Sequence, residues 1–207
     1  MGKKAPIESI VRHYRTTVLG GISTLVEFNQ NLEGYNFRDY SIFKRKLDRT
    51  QVREYSAMEL YDKVKGDKFF YISTGGGVVF SGGNTCLYGD FIKEFRCVCG
   101  ESWYLTLETS LNLDLDTIKD LVDVVDNFIV DVEDVNHLVD KSCEGKDSQN
   151  VLDDLKWLVS TVGKKRVSVR MMKSLDFDSA NKIDAGKSIL KELGVERVYD
   201  YENLRAS

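Results

Sequence analysis

The stretch Phe69 to Gly83 reads FFYISTGGGVVFSGG. A charged segment closes at Lys68, and an apolar run then breaks on Gly75-Gly76-Gly77. Val78-Val79-Phe80 follows, and then Ser81-Gly82-Gly83. Three β-favouring apolar residues between glycine clusters predict a short buried strand. Glycines directly after a strand mark backbone that must turn tightly or lie close to a ligand.

Working outward from this strand, Ser56-Ala-Met-Glu59 has capping-box spacing, with Leu60 and Val64 continuing an apolar face. That predicts a helix over 56–66 feeding the strand. Downstream, residues 89–98 (GDFIKEFRCV) predict a helix stopped at Gly100. Trp103 to Leu107 is strand-like and runs into Glu108-Thr109-Ser110. A helix over 116–124, a buried strand from Asn127 to Asp131 and a helix over 149–162 follow. The pattern ends with a strand over 166–171, a helix over 179–193 before Gly194, and a strand over 197–201. Upstream, Arg15 to Leu19 before Gly20-Gly21 predicts a first strand. Residues 1–13 read as a polar, basic lead-in, and 32–55 as a charged, solvated segment. Strand and helix thus alternate six times, which implies an α/β fold with parallel strands and right-handed crossovers. Six units are too few for a closed eight-stranded barrel. A single domain over 1–207 is expected, as a partial (β/α)6 barrel.

Composition narrows the function classes. The chain has 207 residues, 42% apolar and 30% charged, ordinary values for a globular domain with a real core. A net charge of −4 and a pI near 5.4 argue against a nucleic-acid partner, which favours a basic face. No run of about 18 apolar residues predicts a membrane span. The start, Met1-Gly-Lys-Lys-Ala-Pro6, lacks an apolar signal core, and Pro6 breaks the myristoylation pattern. Four cysteines in a chain this long (Cys86, Cys97, Cys99, Cys143) do not suggest a disulfide scaffold. A reducing cytoplasm is the expectation. Pro6 is the single proline, consistent with long uninterrupted elements.

The GG-V-x-F-SGG stretch, the Glu108-Thr109-Ser110 element and the Asn127–Asp131 strand resemble the radical S-adenosylmethionine enzymes that activate glycyl-radical enzymes, such as pyruvate formate-lyase activating enzyme. The resemblance runs roughly from Arg15 to Tyr201 and implies the partial (β/α)6 barrel. In that family the glycines after the second strand line the methionine end of S-adenosylmethionine, and the pattern continues Gly-Gly-Glu-Pro. Here it continues Gly82-Gly83-Asn84-Thr85. After its first strand the family carries R-T-x-x-F-x-x-G-C-x-x-x-C-x-x-C-H-N, whose cysteines hold a [4Fe–4S] cluster. Laid on this chain, Arg15-Thr16 and Gly21 match. The cysteine positions fall on Ile22, Val26 and Asn29, with Gln30-Asn31 in place of His-Asn. The region 20–55 then reads as a degenerate cluster loop with a polar insertion. Apolar side chains and an amide do not supply the soft thiolates iron needs, so no [4Fe–4S] cluster is expected. Where the family has L-I-D-x-K, this chain has Asp131 with Glu133, a charge reversal.

Sites in such barrels gather at the C-terminal ends of the strands. The candidates there are Gly82, Gly83, Asn84, Glu108, Thr109, Ser110, Asp131 and Arg170. Backbone groups of Gly82-Gly83 suit an amino-acid-like headgroup. Glu108 and Asp131 are hard oxygen ligands suited to a cation, and the resemblance implies a monovalent one. Against this, acids at strand ends also cap helices or are simply solvated. No histidine falls among them; His13 and His137 have no Ser or Cys partner at a recognisable spacing. Cys97-Val98-Cys99 lacks zinc-knuckle spacing, so the cysteines read as buried core thiols. Asp184-Ala-Gly-Lys-Ser188 ends like a phosphate loop but lacks its opening glycine and lies within a helix pattern.

Three functions fit. The first is a pseudo-enzyme, a binding or regulatory partner of a glycyl-radical enzyme. The second is a non-radical enzyme that binds S-adenosylmethionine or another small molecule at the barrel mouth. The third is a radical enzyme whose cluster is held by other ligands, such as Cys86, Cys97 and Cys99.

Overall fold

The computed structural model describes residues 2–15, 18–29, 52–82, 85–110, 115–132, 146–171 and 180–200. The chain opens with β1 (Lys4–Tyr14), β2 (Ser23–Phe28) and β3 (Arg53–Ser56), then α1 (Ala57–Val64) and α2 (Lys68–Thr74). Strand and helix alternate from there: β4 (Gly77–Gly82), α3 (Gly89–Cys99), β5 (Tyr104–Thr109), α4 (Leu115–Lys119) and β6 (Asn127–Val132). The last described elements are α5 (Lys146–Val162), β7 (Val167–Met171), α6 (Ala180–Glu192) and β8 (Arg197–Asp200).

All strands join one sheet in the order β3-β1-β2-β4-β5-β6-β7-β8. From β2 to β8 every neighbouring pair is parallel. β1 runs antiparallel to both β2 and β3. Six parallel strands laid side by side in chain order, with helices between them, are the partial barrel the alternation predicts. The antiparallel pair β1 and β3 extends one edge.

Successive side chains on a strand point to opposite faces. On one face, Val26, Phe28, Val78, Phe80, Leu105, Leu107, Phe128, Val130, Val132, Val167, Val169 and Met171 join a core with Leu60, Phe91, Ile92, Phe95, Leu155 and Leu158 of the helices. Of the intervening positions, Ser81, Thr106, Glu108, Asp131, Ser168 and Arg170 are buried and polar, while Val79 and Ile129 are buried and apolar. One face is therefore an oily seat for helices, and the other is a mostly polar interior that carries the candidate site.

Two boundaries differ from the sequence reading. The first strand is not Arg15–Leu19, and residues 4–13 are not a lead-in. They form β1, and Val18-Leu19 lie in the turn before β2. In β1 only Ala5 and Ile7 are buried, so its sequence lacks the alternation of a half-buried strand. The capping box is present as read: Ser56 N–H donates to Glu59 Oε2 at 2.7 Å, and Glu59 N–H to Ser56 Oγ at 3.3 Å. The glycine triplet is explained by packing. Gly75 (φ +71°) caps α2, and a Cβ on Gly76 or Gly77 would overlap the carbonyls of Ile22 or Tyr104.

Candidate functional site

Parallel pairing sets Asp131 on β6 directly beside Arg170 on β7. The Arg170 guanidinium donates from Nε and Nη2 to Asp131 Oδ1 and Oδ2 at 2.6 and 2.8 Å. It also reaches Glu108 Oε1 and Oε2 from Nη1 and Nη2, at 3.4 and 3.2 Å. Glu108 is held from a third strand, since Ser81 Oγ on β4 donates to its Oε2 at 2.6 Å. Thr85 Oγ1 donates to the Glu108 carbonyl at 2.7 Å. The three charged residues are only 3–8% exposed. Bidentate arginine–carboxylate contacts of this kind fix geometry as well as charge. Buried charges require such pairing, because an isolated one is strongly disfavoured away from water.

Tyr14, at the end of β1, belongs to the same electrostatic neighbourhood. Burial pushes its phenol up first, and the Glu108 and Asp131 carboxylates push it further while Arg170 opposes them. It therefore stays a neutral hydroxyl. Sequence reasoning missed Tyr14 because it missed β1. A tyrosine closing an extended segment next to a glycine turn was the available signal.

Of the sequence candidates, Glu108, Asp131 and Arg170 come together; Thr109 is buried against Cys86 instead, and Ser110 is half-buried at the end of β5. Gly83, Asn84 and Glu133 lie outside the described residues. Gly82 has φ +87°, and a Cβ there would overlap the Phe28 carbonyl oxygen. Close approach to β2 accounts for that glycine without a ligand. Glu108 and Asp131, expected as cation ligands, instead share the Arg170 guanidinium. Among the described residues no group of three or more His, Cys, Asp or Glu is arranged to hold a metal.

The degenerate cluster positions need correction. Val26 lies in the middle of β2 and is fully buried. Ile22 precedes that strand, its N–H donating to Thr74 Oγ1 at 2.8 Å, and Asn29 N–H donates to the Pro6 carbonyl at 2.9 Å. A buried strand is not a ligand loop, so the spacing read from a strand at 15–19 was displaced. The strand that runs parallel beside β4 is β2, which ends at Phe28. No cysteine occurs anywhere before Cys86.

Among the described residues, Cys86, Cys97 and Cys99 do not gather into a metal-holding group. Burial pushes the Cys86 thiol up to about 11, and its Sγ donates to Thr109 Oγ1 at 3.8 Å. Burial likewise pushes Cys99 up to about 11, while Cys97 is exposed. Iron needs thiolates that converge. Cys143 lies outside the described residues.

With this geometry, comparison with known proteins is informative. Two crystal structures of SuiB from Streptococcus suis superimpose on it, one of them bound to S-adenosylmethionine. They match with TM-scores of 0.51 and 0.50 at 17% and 16% identity, covering 74% of this chain and 36% and 34% of theirs. The chain has a radical S-adenosylmethionine-like fold. In sequence it is similar to the (2S)-3-sulfopropanediol dehydratase activating enzyme of Klebsiella oxytoca, at 26% identity over 142 residues. That alignment takes in 67% of this chain and 44% of the relative, so the chain spans less than half the length of the curated protein it matches. No family model matches it. Among the described residues no helix is long and apolar enough to cross a membrane.

Proposed function

We propose that this protein is a radical S-adenosylmethionine-like protein without the cluster, a non-catalytic binding or regulatory partner in a glycyl-radical enzyme system of the cytoplasm. The observation that carries this reading is topological. β2 is the strand parallel to the glycine-rich β4, and the sequence contains no cysteine before Cys86. Without thiolates there, the chain offers no seat for the iron–sulfur chemistry that cleaves S-adenosylmethionine. The barrel face that carries Glu108, Asp131 and Arg170 is nevertheless fully assembled. That supports a protein kept for its shape and charge rather than for a reaction.

Anaerobic reconstitution tests it. Iron and sulfide near zero, with no broad absorbance near about 400 nm, are expected, since that band belongs to thiolate-ligated clusters. About four irons per chain, the stoichiometry of a [4Fe–4S] site, would overturn the reading. Co-purification with the glycyl-radical enzyme of the source cell tests the partner role.

A second reading rests on the buried Glu108–Arg170–Asp131 cluster, whose paired charges suit a zwitterionic headgroup such as that of S-adenosylmethionine. A ligand at 100 times its dissociation constant stabilises the fold by about 2.7 kcal/mol. Flat melting curves with S-adenosylmethionine and related metabolites would count against it.

A further inference from the structure

The opposite end of the barrel carries a surface that the fold does not use. α2 packs inward through one residue, Tyr71, whose ring meets Trp103 edge-on at 4.9 Å and whose hydroxyl is 2.5 Å from Thr24 Oγ1. Its other large apolar residues face outward: Phe69 is 76% exposed, Ile72 54% and Phe70 39%. Phe70 meets Phe69 at 6.1 Å and the edge of the His13 ring at 5.2 Å. Phe69 and Phe70 touch, and Ile72 follows one helical turn after Phe69, so the exposure is clustered on one short helix rather than scattered.

A buried carboxylate holds the polar border of that patch in place. Asp67, 1% exposed, accepts from Arg12 Nε at 2.7 Å and pairs with Arg12 Nη2. His13 Nε2 stands 3.3 Å from the same carboxylate. His13 is the one described non-glycine residue with a positive φ, at 55°. Such backbone costs on the order of 1–3 kcal/mol and persists where the surroundings enforce it. Among the described residues next to α2 in the chain, Lys65 is paired with Asp62 at 2.7 Å and Arg12 with Asp67, which leaves Lys63 and Lys68 as unpaired cations on a chain of net −4.

We propose that Phe69, Phe70 and Ile72, bordered by Arg12, His13, Lys63 and Lys68, form a docking surface for an acidic polypeptide segment that carries a large apolar side chain. Charge complementarity identifies the occupant: the border is locally basic on an acidic protein, so it attracts acidic chains and repels copies of the protein's own predominantly negative surface. Aromatic and arginine side chains are the residue types that dominate interface energetics. The restrained Arg12 and His13 lose little freedom on binding. This surface lies at the start of β4, away from Glu108 and Arg170, so it stands whether or not the mouth reading does.

The test is selection of a random peptide display library on the full chain, with counter-selection on the Phe69→Ser/Phe70→Ser variant. Both substitutions are at exposed positions, and a thermal melt verifies that the variant is folded. Enriched peptides should be acidic with an aromatic or aliphatic anchor. Their affinity should fall about tenfold or more, a loss of about 1.4 kcal/mol, in the double variant and again in Lys63→Glu/Lys68→Glu. It should also weaken between about 50 and about 300 mM salt as the charges are screened. Recovery of no peptides, of peptides without acidic bias, or of peptides that bind both proteins equally would overturn the proposal. Concentration-dependent dimerisation in sedimentation, abolished by the Phe69→Ser/Phe70→Ser variant, would assign the face to a second copy instead. Co-flotation with anionic phospholipid vesicles, lost in the same variant, would assign it to a membrane.

Discussion

Two arginines, one at each end of the barrel, show how the same side chain does different work. Arg96 on α3 spends most of its donors on backbone: Nε on the Val124 carbonyl at 2.8 Å and Nη1 on those of Gly100 and Trp103 at 2.9 Å each. Only Nη2 meets a carboxylate, Asp126, at 2.5 Å, and that group also accepts from Leu105 N–H at 2.7 Å. Arg170 contacts carboxylates of two neighbouring strands. The first arginine ties loops to strand starts. The second holds two buried charges at a fixed spacing, and nothing about closing a loop requires that. Concentrated charge away from any packing need is what makes the mouth the candidate site.

The contrast can be broken in a graded way. Arg170→Met leaves Glu108 and Asp131 buried without their guanidinium, and it should cost about 3–5 kcal/mol in denaturant unfolding. Gly82→Ala comes next, at about 2–3 kcal/mol, because φ +87° and the Phe28 carbonyl both resist a Cβ. That loss should appear with no ligand present; a stable variant would return Gly82 to a ligand-cradling role. Arg96→Met should cost about 1–3 kcal/mol, the loss of donors to partly buried carbonyls, since Asp126 keeps the Leu105 N–H. An Arg96→Met loss equal to that of Arg170→Met would erase the distinction between the two ends.

The smallest effect is one of pH. Arg12 is the main cause holding the Asp67 carboxyl below its usual range. Its folded value is therefore below its unfolded one, and its contribution is complete above the unfolded value of about 3.9. That contribution disappears as pH falls through the folded value. Asp67→Asn should flatten the acid limb of the stability curve and leave its shape above about pH 5 unchanged.

Much of this was legible in the sequence, for identifiable reasons. Five of the six parallel strands, β4 to β8, were legible because each is a short apolar run bounded by glycine or charge; β2 was not, since it lies inside the stretch read as a degenerate loop. Glu108, Asp131 and Arg170 were legible as lone charges at the ends of such runs. Their convergence was not, because it depends on the register that puts Asp131 opposite Arg170. β1 was misread because charges occupy its exposed positions, and that error displaced the presumed ligand positions onto Ile22 and Val26. The glycine triplet was read only as a break before the strand. Its cause, the close approach of the Ile22 and Tyr104 carbonyls to Gly76 and Gly77, is something no single strand's sequence contains.

A bond joins the last described strand to the turn before β2. Tyr199 Oη on β8 donates to the Val18 carbonyl at 3.1 Å, between residues 181 apart in sequence. A ribosome delivers the turn at Val18 well before the tyrosine. During synthesis, Val18 waits for that donor while 181 further residues emerge. The early strands therefore have a long interval in which to find the wrong partner, and a slow, late closing step is built into the topology.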